Sequence, residues 1–341
     1  MADNDIPSVL VDEYLTLVDD SCVALLPHVL RIAAEFRLAD LLADGPMDVA
    51  ALARTVGADA GALYRLLRAL ASVGFFEEVT PRTFALSALG RRLCSDSADT
   101  VRESVLQSDS YRAWATAADA FRKGAPVSLN GDGQDFFGHK DSDASADRSF
   151  TRRMRERAAR CYAGVVDAVD WSRSTVVLDI GGGDGFLLGG ILRREPRLTG
   201  VLFDRPAVVA AVESSGHLSY LAGRLRLAGG DFFRELPDGA DTHLMCSVLH
   251  DWTDAQVELV LERSRAALAP HGRLLIVEML VPDGNDWHPS KWSDLGMLVL
   301  TGGRERDGRE FTDRLAAAGY AVSAMRPVPD SYFTLIEAES R

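Results

Sequence analysis

The sequence predicts an α/β protein in which a parallel sheet covered by helices follows a mostly helical N-terminal region. Three observations predict it. Residues 173–341 alternate short apolar runs with helical patterns, as strand–helix–strand units do. Near the start of that region, Val177-Leu178-Asp179-Ile180-Gly181-Gly182-Gly183-Asp184-Gly185 runs an apolar stretch into alternating glycines. That pattern reads as a buried strand turning sharply into a helix. Residues 11–95 instead repeat apolar side chains at helical spacing, as in Val23, Leu26, Val29, Leu30 and Ala33.

Taken in order, the first region, 1–95, places short helices over 49–56 and 60–73, stopped by Gly74. Phe75 to Val79 then reads as a strand, Pro81-Arg82 as a turn, and Thr83 to Leu86 as the returning strand. Helix–turn–helix plus hairpin is a winged helix, a module that binds DNA or dimerises. The chain carries 37 Lys and Arg against 50 Asp and Glu, a net charge of −13, which opposes a nucleic-acid partner. The 60–73 helix offers only Arg65 and Arg68 as cations, so the dimerisation reading is preferred over a DNA-binding regulator. Residues 96–172 read as a helical linking segment, broken by the polar loop Asn130-Gly131-Asp132-Gly133-Gln134-Asp135. Its later helix should carry Phe150 and Met154 on one face, either as core or as a substrate wall. Residues 173–341 hold predicted strands over 175–180, 200–203, 224–228, 242–248, 273–280, 321–325 and 332–338.

No run of 18 apolar residues exists, so no transmembrane helix and no membrane partner are expected. The acidic start, Met-Ala-Asp-Asn-Asp, does not read as a signal peptide. Cys22, Cys94, Cys161 and Cys246 are scattered without metal-ligand spacing. Reduced thiols, a cytoplasmic location and no metal are therefore expected.

In open α/β sheets ligands bind beyond the carboxyl ends of strands, and that rule selects the candidate site. The glycines follow Asp179 as Asp-x-Gly-x-Gly-x-Gly, which is neither the dinucleotide fingerprint nor a P-loop. An acid at that strand end suits a ligand with a cationic amine, such as S-adenosylmethionine. Asp204 ends the next strand, 21 residues beyond Gly183, where an acid can accept from ribose hydroxyls. Asp231 and Phe232 follow Gly229-Gly230 after the third strand. They can take an adenine amino group and cover the ring. His250 lies in a strand-to-helix loop, since Thr253 and Gln256 just after it are spaced as a capping box. An imidazole there can accept a proton near neutral pH. Glu278 ends the fifth strand, and Glu305 lies in Gly302-Gly303-Arg304-Glu305-Arg306; either acid serves to orient a catalytic group or as an ordinary charged residue.

With these motifs in this order, nearly the whole chain resembles the S-adenosylmethionine-dependent O-methyltransferases of the plant caffeate and bacterial polyketide type. The quoted matches are Asp-Ile-Gly-Gly-Gly-Asp-Gly at 179–185, Phe-Asp-Arg-Pro at 203–206, Gly-Gly-Asp-Phe-Phe at 229–233, Leu-His-Asp-Trp at 249–252 and Gly-Gly-Arg-Glu-Arg at 302–306. The resemblance implies a Rossmann-like methyltransferase sheet behind a winged-helix dimerisation domain. It implies methyl transfer to a phenolic hydroxyl of an aromatic small molecule in specialised metabolism, releasing S-adenosylhomocysteine. His250 would be the general base, flanked by Glu278 and Glu305. Asp179, Gly181, Gly182, Gly183, Asp204, Arg205, Asp231 and Phe232 would hold the cofactor, with Ser247 close to it. Phe150, Met154, Asp251, Trp252 and Met297 match regions that line the acceptor pocket. Members are usually homodimers. Where many relatives carry a lysine four residues before the histidine, Cys246 stands here. Some relatives have turned to decarboxylation, hydroxylation or pericyclic chemistry, and ring C-methylation could use the same base. The retained His250 favours O-methylation.

Overall fold

The computed structural model describes residues 22–129 and 134–341. The first residues of the expected N-terminal helical region and Asn130 to Gly133 of the polar loop lie outside them. The chain divides into two compact units, Met1–Ser108 and Asp109–Arg341.

The first unit holds α1 (Cys22–Glu35), α2 (Leu38–Leu41), β1 (Met47–Asp48), α3 (Val49–Val56), α4 (Ala60–Ser72), β2 (Phe76–Thr80), β3 (Thr83–Leu86) and α5 (Arg102–Leu106). Asp48 and Asp59 cap α3 and α4, accepting from Ala50 N and Ala62 N, both at 2.8 Å. Each such cap is worth about 1 kcal/mol. Leu52, Leu63, Leu67 and Leu70 meet Phe76 and Phe84 in one core, so the two helices close onto the hairpin. The three strands pair as β1-β3-β2, all antiparallel. The two helices and the hairpin fall where the sequence placed them. The two-residue strand β1 did not register, being too short to show a period.

The second unit begins with helices: α6 (Ser108–Ala115, starting at the boundary), α7 (Ala117–Lys123), α8 (Phe136–Ser142), α9 (Ala144–Cys161) and α10 (Ala163–Ala168). The sheet unit follows with β4 (Val176–Ile180), α11 (Phe186–Arg194), β5 (Thr199–Asp204), α12 (Pro206–Ser215), β6 (Leu225–Gly229), β7 (Thr242–Cys246), α13 (Asp254–Ala267), β8 (Arg273–Glu278), α14 (Pro289–Leu300), α15 (Gly308–Ala317), β9 (Tyr320–Pro327) and β10 (Thr334–Ser340). The seven strands order as β6-β5-β4-β7-β8-β10-β9. The first five are parallel. Of the last two, β10 alone is reversed: it runs antiparallel between β8 and β9, and β9 again points with the first five, so the sheet is mixed, a correction to the all-parallel expectation. Alternation along a strand is the same in either direction, so periodicity alone does not report it.

The sheet is buried on both faces. Val177, Leu202, Leu244 and Leu275 pack under the α9–α11 side, while Leu178, Ile180, Phe203 and Met245 pack under α13 and α15. The chain starts at β4, steps outward to β5 and β6, then returns to β7 on the other side. The reversal opens a crevice at the carboxyl ends of β4 and β7. The glycine turn and the His250 loop flank it.

Candidate active site

β4 delivers Asp179 into this crevice, 2 % exposed, and its Oδ2 has no hydrogen-bond partner among the described residues. Burial, then Asp204 and Asp184 nearby, push its carboxyl up to about 7. Gly181 and Gly182 after it are required by space. A Cβ on Gly182 would stand 2.6 Å from Asp179 Oδ2, and one on Gly181 would stand 2.9 Å from Val248. Gly181 and Gly183 also take φ of 70° and 58°, which favours glycine. Gly183 N donates to Asp204 Oδ2 at 2.8 Å, joining the first two strand ends.

A cavity of about 830 Å³ opens from this turn. It is lined by Asp179, Gly181, Gly182 and Gly183, and by Asp204 and Arg205. Asp231, Phe232 and Ser247 also line it, with Phe150, Met154, Asp251 and Trp252. An unpartnered buried carboxylate, a glycine cradle, an acid at the second strand end and an aromatic beyond the third fit an adenosyl amino acid with a cationic amine.

Two of these residues are more committed than expected. The Arg205 guanidinium pairs with Asp141 at 2.5 Å and with Asp147, and lies over the Phe137 ring. Its backbone N donates to Asp204 Oδ1 at 2.7 Å. Asp231 is exposed, and its Oδ1 accepts from Phe233 N at 2.9 Å. Met297 is not brought to the cavity; it lies on α14, where its carbonyl accepts from Gly302 N.

His250 sits in a single 3₁₀ turn, Leu249–Asp251; its neighbours Val248, Asp251 and Trp252 line the cavity, while His250 itself is not among the lining residues. It is 7 % exposed, and its Nδ1 lies 2.6 Å from Glu278 Oε2. The other Glu278 oxygen accepts from Val248 N at 3.0 Å and Leu249 N at 2.8 Å. One carboxylate thus fixes both the loop and the ring. Burial alone would raise Glu278, but the His250 charge, its hydrogen bond and the two backbone donors hold it below the usual range. Burial opposes charge on His250 too, yet Glu278, Asp251 and Glu305 outweigh it and raise the imidazole to about 10. Glu305 is 3 % exposed, and the Ser293 side chain is the hydrogen-bonding group that opposes the effect of burial on it. Burial is the main cause of its raised pKa. Ligand atoms of His250, Glu278 and Glu305 all fall within 4.8 Å of one another. Both Glu278 oxygens are already spent on N–H donors, so the donor set suits a proton better than a metal.

Further residues belong to the site that the sequence did not single out. Tyr162 Oη bonds Ser247 Oγ at 2.6 Å, and Ser247 carries φ of 54°. Arg155 pairs with Asp184 in the glycine turn at 2.6 Å. Phe137 stacks on Trp252 with centroids 5.0 Å apart. Buried Arg306 donates to Leu249 O at 3.0 Å and Trp252 O at 2.9 Å, and pairs with Asp254 at 2.8 Å. The helical period of α9 was the available signal for Arg155 and Tyr162, since both fall on the arc begun by Phe150 and Met154.

A nucleoside-type crevice at the β4/β7 reversal, with a histidine–carboxylate pair at its rim, defines a cofactor-binding transferase of the α/β class. Comparison with known proteins makes the class specific. The O-methyltransferase domain family matches residues 114–321, and the O-methyltransferase dimerisation domain family matches residues 21–96. A phenazine O-methyltransferase of Lysobacter antibioticus is 37 % identical over 311 residues, covering 91 % of this chain and 91 % of its own. The O-demethylpuromycin-O-methyltransferase of Streptomyces alboniger is 36 % identical over 319 residues, covering 91 % of this chain and 85 % of its own. The chain is also similar to a crystal structure of an O-methyltransferase from neocarzinostatin biosynthesis, in complex with S-adenosylmethionine and 2-hydroxy-5-methyl naphthoic acid. The TM-score is 0.81 at 31 % identity, over 93 % of this chain and 96 % of that one. The chain belongs to the O-methyltransferase family and is an S-adenosylmethionine-dependent O-methyltransferase.

Proposed function

We propose that this enzyme methylates a phenolic hydroxyl of an aromatic small molecule in specialised metabolism, with His250 as general base. The observation that carries the reading is the 2.6 Å contact between His250 Nδ1 and the fixed Glu278 carboxylate, beside the cavity. Substrate class is supported by relatives whose names specify phenazine and 3-amino-4-hydroxybenzoate O-methylation.

The cofactor supplies an electrophilic methyl group on a sulfonium. The chain's own residues do the rest. Asp179, Gly181, Gly182, Gly183, Asp204, Arg205, Asp231, Phe232 and Ser247 are assigned to cofactor binding; Arg205 acts through its backbone and its latch to Asp141 and Asp147. Phe150, Met154, Asp251 and Trp252 are assigned to the acceptor wall; Met297, which does not line the cavity, is left out of it. His250 Nε2 faces away from Glu278 and takes the phenol proton, while Glu278 and Glu305 stabilise the imidazolium. A phenol and this imidazole are both near pKa 10, so transfer to the neutral imidazole costs little, but at neutral pH the ring must first lose the proton that Glu278 favours. Positioning supplies much of the remaining rate. The working assembly is a homodimer, supported by the dimerisation domain at 21–96. The division 1–95, 96–172 and 173–341 is retained as the functional one: dimerisation, linking helices with an acceptor wall, and cofactor domain. No helix among the described residues is long and apolar enough to cross a membrane; a cytoplasmic enzyme without membrane or nucleic-acid partners is our reading, and for nucleic acid it rests on the net charge of −13.

His250→Ala should lower turnover about 10²–10⁴-fold, the usual contribution of a general base. Calorimetry with S-adenosylhomocysteine should find cofactor affinity unchanged. Undiminished turnover in this variant rejects the assignment.

A further inference from the structure

α9 carries more charge toward the His250 cluster than the reaction above uses. At about 100° per residue, Phe150, Met154, Ala158, Thr151, Tyr162 and Arg155 fall on one arc, and all line the cavity. Thr151 and Arg155 mark the edge nearest the glycine turn, where Arg155 meets Asp184. Arg153 and Arg157, one turn apart, mark the opposite edge beside Phe150. The charges that act on Arg153 include Asp251 and Asp109, and those that act on Arg157 include Glu305 and Glu278. Neither arginine itself lines the 830 Å³ cavity; their edge of α9 adjoins it through Phe150 and Met154, which do, and Arg153 lies against the Phe150 ring.

Both guanidiniums are half-buried, and their close contacts are ring faces. Arg153 lies 5.3 Å from the Phe150 centroid and Arg157 lies 5.6 Å from the Phe333 centroid. Among the described residues neither has a hydrogen-bond or ion-pair partner. Arg155, Arg205 and Arg306 in the same unit each hold an acid. Burial and the like charge of Arg157 hold Arg153 down to about 10, so both stay charged at neutral pH. Withdrawing an arginine from water without a partner is costly, and its rigid fork of donors matches a carboxylate.

We propose that Arg153 and Arg157 form an anion-recognition subsite that selects an acceptor carrying a carboxylate as well as the hydroxyl, that is, a hydroxylated aromatic acid. The carboxylate docks on the arginine edge of α9, which leaves the hydroxyl for His250. The alternative is that the pair only offsets the charge of Asp251, Glu278 and Glu305. The proposal rests on His250 marking the reacting end of the acceptor.

The test compares a panel of hydroxybenzoates and hydroxynaphthoates with their carboxamides, scored as KM and kcat with the wild-type enzyme and as affinity for its S-adenosylhomocysteine complex. Charge-assisted bonds predict at least one acid favoured over its amide by roughly 10- to 100-fold, mostly in KM and affinity. Arg153→Gln and Arg157→Gln should erase that preference by weakening the acid and sparing the amide. Arg157→Lys should restore part of it. No acid bound better than its amide by the wild-type complex overturns the subsite. So does a loss in the Gln variants that falls equally on acid and amide, as mere charge offset predicts. Failure of the general-base reading is separable: His250→Ala would keep both turnover and the acid preference.

Discussion

Asp179 shows in one residue how function opposes stability. Its carboxylate is buried, one oxygen is unpartnered, and its pKa stands near 7 instead of 3.8. A raised folded pKa means that the proton is favoured in the fold. Stability is therefore complete below the unfolded value near 3.8 and declines as pH rises through about 7. At neutral pH the unliganded enzyme carries a cost on the order of 2–4 kcal/mol from this group. Asp179→Asn should raise the melting temperature at pH 7 and leave it nearly unchanged at pH 4. The same variant should lose most of its cofactor affinity. A melting temperature that does not rise at pH 7 would show that the carboxylate is relieved by something other than the cofactor. The sequence pointed to Asp179 because an acid ending an apolar strand stands out. It did not point to Arg153 or Arg157, since arginines on a linking helix look like any solvated face until the neighbouring Phe150 and Met154 are known to line a cavity.

At the scale of elements, the His250 loop is held from several sides. Glu278 bonds its backbone N–H groups, and Arg306 bonds the carbonyls of Leu249 and Trp252. Gly303 passes so close that a Cβ would stand 2.1 Å from His250 O and 2.4 Å from Asp251 C. Gly303→Ala must push this loop away. Overpacking of this kind costs about 1–3 kcal/mol, and steady-state assays should show kcat reduced at least tenfold while S-adenosylhomocysteine still binds. Normal kcat would mean that loop position is not limiting. The strands that carry the site were legible because β4, β5, β7 and β8 are apolar and end in distinct polar residues. The direction of β10 was not, because β8 reads equally well beside a parallel or an antiparallel partner. α9 was legible as a helix, yet which of its arginines would meet acids depended on where β4 and β7 end.

For the molecule as a whole, the net charge of −13 and the 21–96 dimerisation match are consistent with a small-molecule enzyme. The two-unit division after Ser108 was not legible in the sequence, because no Pro- or Gly-rich linker marks it. What ties the sequence to the chemistry is the order of strands. The reversal between β4 and β7 brings residues about 70 positions apart, the glycine turn and the His250 loop, to one crevice. Glu278 at the end of β8 then raises the pKa of His250, the base proposed above. On the proposed mechanism, His250 must be neutral to act and is held cationic by Glu278.

The pH dependence of acceptor kcat/KM at saturating cofactor tests this most directly, in the wild type and in Glu278→Gln. His250 with a raised pKa is protonated at neutral pH and becomes a base only as pH rises. The wild-type profile should climb with pH along a limb lying above the ordinary imidazole value of about 6.5. In Glu278→Gln, which removes the anion that raises it, the limb should move to lower pH while the plateau falls. A limb at the same pH in both proteins, or a profile flat across this range, would contradict the account.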